Sequence, residues 1–322
     1  MVISVSRRCD IPRFRFDWFL ERLEAGYADV ANPYNTAQIK RVSLKPDDVD
    51  CLVFWTRDPR PILAGQNRLL AYPFYIMTTL TGYPKILEPD VPPPDEIIHA
   101  LKTAAGKWGP KRVIWRYDPV FLSNVTDSDF HRRNFRDLSN RLAGSVNRVI
   151  VSVYDEYPGA KRRLSALENN GLLKTFPHYG EDGRFNLEIT ELLAEFADAA
   201  GKAGMEIQSC AEGEELSTLG IKHGACIDGE LCLFQNSVSF VTGSGKSGLK
   251  PVFSYKSKVA VPKTEVLEQP RLIKEIAGPG KFTAAAETRD KNQRQFCRCY
   301  PSVDIGSYGA CPAGCAYCYA RR

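Results

Sequence analysis

The feature that most constrains this fold is an alternation, sustained over the first two-thirds of the chain, of short β-branched or aromatic runs with stretches of helical periodicity. Strands are expected at residues 2–6, 51–56, 75–80, 112–117, 148–154 and 206–209, with a last one at 303–308. Helices are expected between them, among others at 16–25, 94–108, 128–142 and 186–203, several opened by Asp, Ser or Asn and closed by Gly. This rhythm predicts a parallel α/β architecture wound right-handed into a barrel or an open sheet, with function at the C-terminal ends of the strands. A chain of 322 residues is long enough for a (β/α) barrel as a single unit.

Several of these strands end in polar residues. Arg7, Arg8 and Asp10 follow the first, Thr56 and Arg57 the second, and Thr79 and Thr81 flank the end of the third. Arg116 and Asp118, Tyr154 and Asp155, and Ser209 and Cys210 stand at the ends of later ones. Arg7, Arg8, Asp10, Arg116, Asp118 and Asp155 are therefore the candidate catalytic residues, expected to converge on one rim. The plainer reading is that arginine and aspartate near strand ends cap loops and pair with each other. From 211 to 300 the rhythm weakens into Gly-rich and basic pieces, the mark of an inserted loop-rich segment. Within it, Gly243-Ser244-Gly245-Lys246-Ser247 is not a phosphate loop, because that pattern needs glycine where Phe240 stands.

Hydrophobic residues at 43% and charged residues at 25% are globular values, which exclude a disordered chain. No apolar run reaches the roughly 18 residues of a membrane span, and Arg7, Arg8 and Asp10 interrupt any signal-peptide core. A cytoplasmic protein without membrane contact is the expectation. In a reducing compartment ten cysteines point to metal or redox chemistry rather than to disulfides. The net charge of +5 is spread through the chain, which permits nucleic acid as a partner without indicating it.

The strongest motif is Cys311-Pro-Ala-Gly-Cys315-Ala-Tyr-Cys318, placed directly after the last expected strand and the turn-forming Gly309. Three thiolates on one tight loop can hold three irons of a cubane cluster, with Gly314 letting the backbone fold around it and the fourth iron left open. The triplet, with Tyr317 before its third cysteine, resembles the signature of the radical S-adenosylmethionine (SAM) superfamily. The stretch from Cys315 to Arg321 is similar to that of spore photoproduct lyase and its DNA-repair-photolyase relatives. The resemblance implies a 4Fe-4S cluster whose open iron is chelated by SAM. It further implies an electron from a donor such as flavodoxin or ferredoxin, and a 5′-deoxyadenosyl radical that takes hydrogen from substrate. It puts Tyr317 beside the cofactor; Gly314 and Arg116 are the further cofactor-binding candidates, Arg116 as a partner for the SAM carboxylate in place of the glycine-glycine-glutamate motif that does not follow the N-terminal strand.

Superfamily members usually carry the triplet early, after the first barrel strand, whereas here it closes the chain. A circular permutation reconciles the two: the strand at 303–308 serves as first barrel strand and lies beside the N-terminal one. The expected fold is thus a circularly permuted, partial (β/α) TIM-like barrel. Residues 1–210 form its main portion, 211–300 the insertion, and 301–322 the last strand and cluster-binding loop. The chain also resembles, over nearly its full length, an uncharacterised bacterial family known only as a domain of unknown function. That resemblance runs from Ser-Arg-Arg-Cys-Asp-Ile-Pro at 6–12 through Trp115-Arg116-Tyr117-Asp118-Pro119 to the cysteine triplet.

Four further cysteines, Cys210, Cys226 and the close pair Cys297 and Cys299, are candidates for a second metal site. The site would be a fully ligated 4Fe-4S cluster or a tetrahedral zinc, the cluster favoured by its iron-sulfur neighbour. Cys51 reads as a small buried hydrophobe, and Cys9 and Cys232 more as burial than ligation. His99 and His131 read as solvated helix residues and His223 as a plain loop residue. The expected function is a radical SAM enzyme acting on a small molecule, a peptide or damaged nucleic acid. The rival is an iron-sulfur- or zinc-stapled binding protein, with nucleic acid as its partner.

Overall fold

The computed structural model describes residues 1–240, 253–255, 289–309 and 311–321. The segment 243–247 lies outside them. The strands are β1 (Val2–Val5), β2 (Tyr27–Ala31), β3 (Ile39–Ser43), β4 (Cys51–Thr56), β5 (Phe74–Thr79), β6 (Val113–Val120), β7 (Arg148–Val153), β8 (Glu206–Ser209), β9 (Lys222–His223), β10 (Val238–Phe240), β11 (Phe253–Tyr255) and β12 (Val303–Asp304). Eight form one sheet in the order β12-β1-β4-β5-β6-β7-β8-β9. Every pairing within it is parallel. The other four make two antiparallel pairs, β2 with β3 and β10 with β11.

Side chains alternate across a strand, so each sheet strand contributes to two cores. Leu52 and Phe54 of β4, Phe74 and Ile76 of β5, and Ile3 and Val5 of β1 pack against Phe16, Phe19, Leu20 and Leu23 of the helix Phe16–Ala25. Further along the sheet, Val113, Trp115 and Tyr117 of β6 and Val149, Val151 and Val153 of β7 meet the helices Pro94–Trp108, Ser128–Leu142 and Leu187–Lys202. The intervening residues Cys51, Val53, Tyr75, Met77, Ile114 and Ile150 face the other way. They are covered not by crossover helices but by Cys226, Ile227, Cys232, Cys297 and Cys299. Burial on both faces explains the near-continuous apolar runs of β4 and β5.

The helices begin and end where their sequences allow. Asp127 caps Ser128–Leu142 by accepting from Phe130 N at 2.8 Å, and Asn186 caps Leu187–Lys202 by accepting from Ile189 N at 2.9 Å. His131, expected in solvent, is instead fully buried. It lies on the stripe shared with Phe135, Leu138 and Leu142, and its ring sits between the Tyr117 hydroxyl (2.8 Å) and the Phe121 carbonyl oxygen (3.1 Å).

The expected adjacency of the chain's ends is found: β12 pairs in parallel with β1, matching Ile3 with Val303 and Ser4 with Asp304. β12 is shorter than the strand expected at 303–308. Asp304 ends it by turning its carboxylate to Ser4 Oγ (2.7 Å), Ser6 Oγ (2.5 Å), Arg7 N (2.8 Å) and Gly306 N (2.9 Å). The sheet also extends beyond the expectation, since β9 adds a strand beside β8 from within the segment read as an insertion. Barrel closure is not seen among the described residues: β9 and β12 are the edges of the sheet order, with no ladder between them.

Candidate functional site

Because the sheet is parallel, the loops after all eight strands leave from one edge, and both cysteine sets include residues on these loops. After β12 the chain runs into the loop of Cys311, Cys315 and Cys318. Cys315 is buried, while Cys311 and Cys318 are half-exposed. Cys315 lies within charge range of the other two, and burial pushes its thiol up to about 12 against the opposing pull of Arg57. Gly314 has φ +76°, and a Cβ there would fall 2.8 Å from Pro89, so the turn between the first two cysteines suits glycine alone.

This loop is held from outside. Arg163, on the helix Pro158–Asn169, donates to the carbonyl oxygens of Ala316 (3.0 Å), Arg321 (2.8 Å) and Cys318. Ala316 N donates to Leu87 O at 2.9 Å. The Tyr317 hydroxyl enters a buried knot in which Arg57 donates to it (2.5 Å), to Glu88 (2.5 Å) and to Thr81 (3.1 Å), while Tyr317 itself donates to Glu88. Its ring packs edge-on against Tyr83, 5.8 Å between centroids.

The second set is assembled from three separate segments. Cys210 follows β8, Cys226 follows β9, and Cys297 and Cys299 precede β12; all four are buried. The Cys226 and Cys210 sulfurs are 3.1 Å apart, and further thiol contacts join Cys226 to Cys299 and Cys299 to Cys297. Those hydrogen bonds depress the Cys210 thiol, to about 7, and the Cys299 thiol, while Cys226 and Cys297 as donors are raised. The positive charges of Arg116 and Arg294 on Cys210, and of Arg7 on Cys299, act in the same direction. Among the described residues no group of three or more His, Cys, Asp or Glu side chains is placed so that it could hold a metal ion as it stands.

A family model described as "Domain of unknown function (DUF1848)" matches residues 2–249 and 254–320. The chain belongs to this family. No curated protein matches it. The two DUF1848 spans take in both thiol sets, Cys210 and Cys226 in the first and the remaining five cysteines in the second.

In this DUF1848 chain the candidate polar residues divide by what they touch. Arg116 and Asp118 pair with each other, Asp118 also accepts from Ser152 (2.5 Å), and Arg116 and Arg7 both lie over the Trp55 ring at 4.8 and 5.5 Å. Arg116 and Arg7 act electrostatically on the four-thiol set. Arg7 also receives at its carbonyl oxygen a hydrogen bond from Tyr319 (2.7 Å), the residue after Cys318, which links the two thiol sets. Arg8 lies over Tyr308 and donates to Gly306 O at 3.3 Å. Asp10 accepts from Arg13 N (3.1 Å) and Arg57 N (2.7 Å), and burial raises its carboxyl to about 6. Asp155 pairs with Arg294 at a half-open position. His99 is exposed on its helix, and His223, in β9 rather than a loop, contacts Phe296 O at 2.7 Å. Cys51 and Cys232 are both buried and hydrogen-bond together in the inner core, and Cys9 is buried as well. Sequence reasoning missed Glu88, Arg163 and Asp304, which hold the site without belonging to any motif.

Proposed function

We propose that this chain is a radical SAM-type iron-sulfur enzyme, built on a partial, circularly permuted (β/α) barrel and working in a reducing, cytoplasmic setting. Cys311, Cys315 and Cys318 would hold a 4Fe-4S cluster with one open iron. The observation that carries the reading is the placement of three thiols on one loop at the C-terminal edge of an all-parallel sheet, directly after the strand that pairs with β1. Their donor chemistry fits such a cluster, and two of the three are open enough to be reached from solvent. When bound, the cluster supplies the electron for reductive cleavage of SAM.

The protein's own groups have separable tasks in this reading. Arg163 and the Arg57–Glu88–Tyr317 knot fix the loop backbone, so that the thiols are presented before any metal arrives. Arg57 also places a positive charge beside Cys315, favouring its thiolate. Arg7 and Arg116, backed by Trp55, offer guanidinium groups for a carboxylate or phosphate of SAM or substrate. The substrate classes are a small molecule, a peptide or damaged nucleic acid, and a flavodoxin- or ferredoxin-type donor would deliver the electron.

The test is iron and acid-labile sulfide per chain after anaerobic purification, then electron paramagnetic resonance of the reduced protein with and without SAM. A cluster signal that shifts on adding SAM is the expected result. Zinc without iron would overturn the reading and leave a stapled binding protein, whose affinity for nucleic acid would fall steeply with salt.

A further inference from the structure

We propose that Cys210, Cys226, Cys297 and Cys299 bind a single thiophilic metal ion, zinc by preference, in a closed tetrahedral site that pins the segments after β8 and β9 to the segment leading into β12. The first support is spacing. In a tetrahedral site with Zn–S bonds of about 2.3 Å, neighbouring sulfurs stand roughly 3.8 Å apart. A cubane cluster instead holds each thiolate on a different corner iron, so its cysteines lie farther apart. The Cys226 and Cys210 sulfurs are 3.1 Å apart and the remaining two join them by direct thiol contact. A single ion therefore asks the Cys226 and Cys210 sulfurs to separate by about 0.7 Å, whereas a cubane would have to drive apart a buried core.

The surroundings are those of a thiolate centre rather than of four buried hydrophobes. Ile227 N donates to Cys299 Sγ and Cys299 N to Cys297 Sγ, both at 3.4 Å, the backbone-to-sulfur pattern that steadies metal-bound thiolates. Arg7, Arg116 and Arg294 all act on these sulfurs electrostatically, and a divalent ion with four thiolates carries the excess negative charge that they offset. Arg7 Nε and Arg116 Nε are buried with no hydrogen-bond partner among the described residues. All four cysteines are buried, and with every ligand supplied by protein the ion has no position for substrate, so its role is structural. Tyr300 N to Ile227 O (2.8 Å) already ties two of the three segments.

The proposal is independent of the triplet's function, and its experiment removes the triplet. The full chain carrying Cys311→Ala, Cys315→Ala and Cys318→Ala is analysed for zinc, iron and sulfide, then titrated with Co²⁺ after metal removal under reducing conditions. About one equivalent of zinc, and a Co²⁺ spectrum with thiolate charge-transfer bands and intense tetrahedral d–d bands, is expected. Iron and sulfide retained in this variant would replace the single ion by a second cluster, and no metal and no Co²⁺ uptake would reduce the set to buried thiols. In the otherwise native chain, Cys297→Ala with Cys299→Ala should lose the zinc while the triplet's metal remains. Should that variant fail to fold, the Co²⁺ titration still decides.

Discussion

The two cysteine sets are built in opposite ways. The triplet is contiguous in sequence and partly open, and its loop is held by groups that are not ligands: Arg163 on its carbonyl oxygens, Glu88 and Arg57 on Tyr317. The four-thiol set is gathered from three segments, is closed, and is held by contacts between its own sulfurs and by backbone N–H groups donating to them. Open and externally supported suits a centre that must accept a ligand; closed and self-supported suits a staple. The comparison breaks most sharply at the ligands. Cys315→Ala should abolish iron retention at the triplet and all SAM cleavage, whereas Cys297→Ala should leave cleavage in place. Release of 5′-deoxyadenosine under strong reduction measures both, and turnover by the Cys315 variant would refute the assignment.

Next in size is the external support. Glu88 is 2% exposed and Arg57 12%, so Glu88→Ala leaves a guanidinium buried without its carboxylate, which costs about 3–5 kcal/mol. Urea unfolding reads this directly. A loss below about 1 kcal/mol, the value of a surface pair, would mean that the knot does not hold the loop.

The scaffold outside both sets supplies a pH-dependent effect of similar or smaller size. Burial lowers both His131 and His178 to about 4, so the folded state keeps them neutral. As pH falls below the ordinary histidine value near 6.5, the unfolded chain takes up protons first, and stability declines until the folded-state value is reached. Each histidine then contributes a slope of about 1.4 kcal/mol per pH unit. Urea midpoints between pH 7 and 5 should fall accordingly, and His131→Gln should flatten the slope even while lowering stability at pH 7. An unchanged slope would place the acid sensitivity elsewhere, such as in protonation of the thiolates.

What the sequence disclosed follows the same division. Six of the seven expected strands were legible, most of them from β-branched, aromatic or apolar runs, and the triplet from its spacing, because both signals are local. β9 was not, since Lys222–His223 is two polar residues whose pairing is decided by β8. Cys210, Cys226, Cys297 and Cys299 could be grouped only as cysteines left over; their contact comes from segments folding over the inner face of the sheet. His131 shows the same limit, because a polar residue on an apolar stripe is buried when a partner such as Tyr117 waits inside. Glu88 and Arg163 left no signal at all, being single charges whose partners are supplied by the distant Arg57 and by carbonyl groups of the last loop.

The smallest effect tests whether the triplet's loop is shaped before metal binds. Gly314 and Gly309 both take left-handed backbone, at φ +76° and +77°, so alanine at either costs about 1–2 kcal/mol in backbone strain. They differ in their surroundings: an added Cβ meets Pro89 at 2.8 Å at Gly314 and nothing within 4 Å at Gly309. Pro89 adjoins Glu88, so displacing it disturbs the knot that holds Tyr317. Gly309→Ala should therefore lose only the strain term and keep its iron, while Gly314→Ala loses more stability and releases iron faster to a chelator. Equal behaviour of the two variants would show that the loop takes its shape from the metal, and that the external supports follow rather than lead.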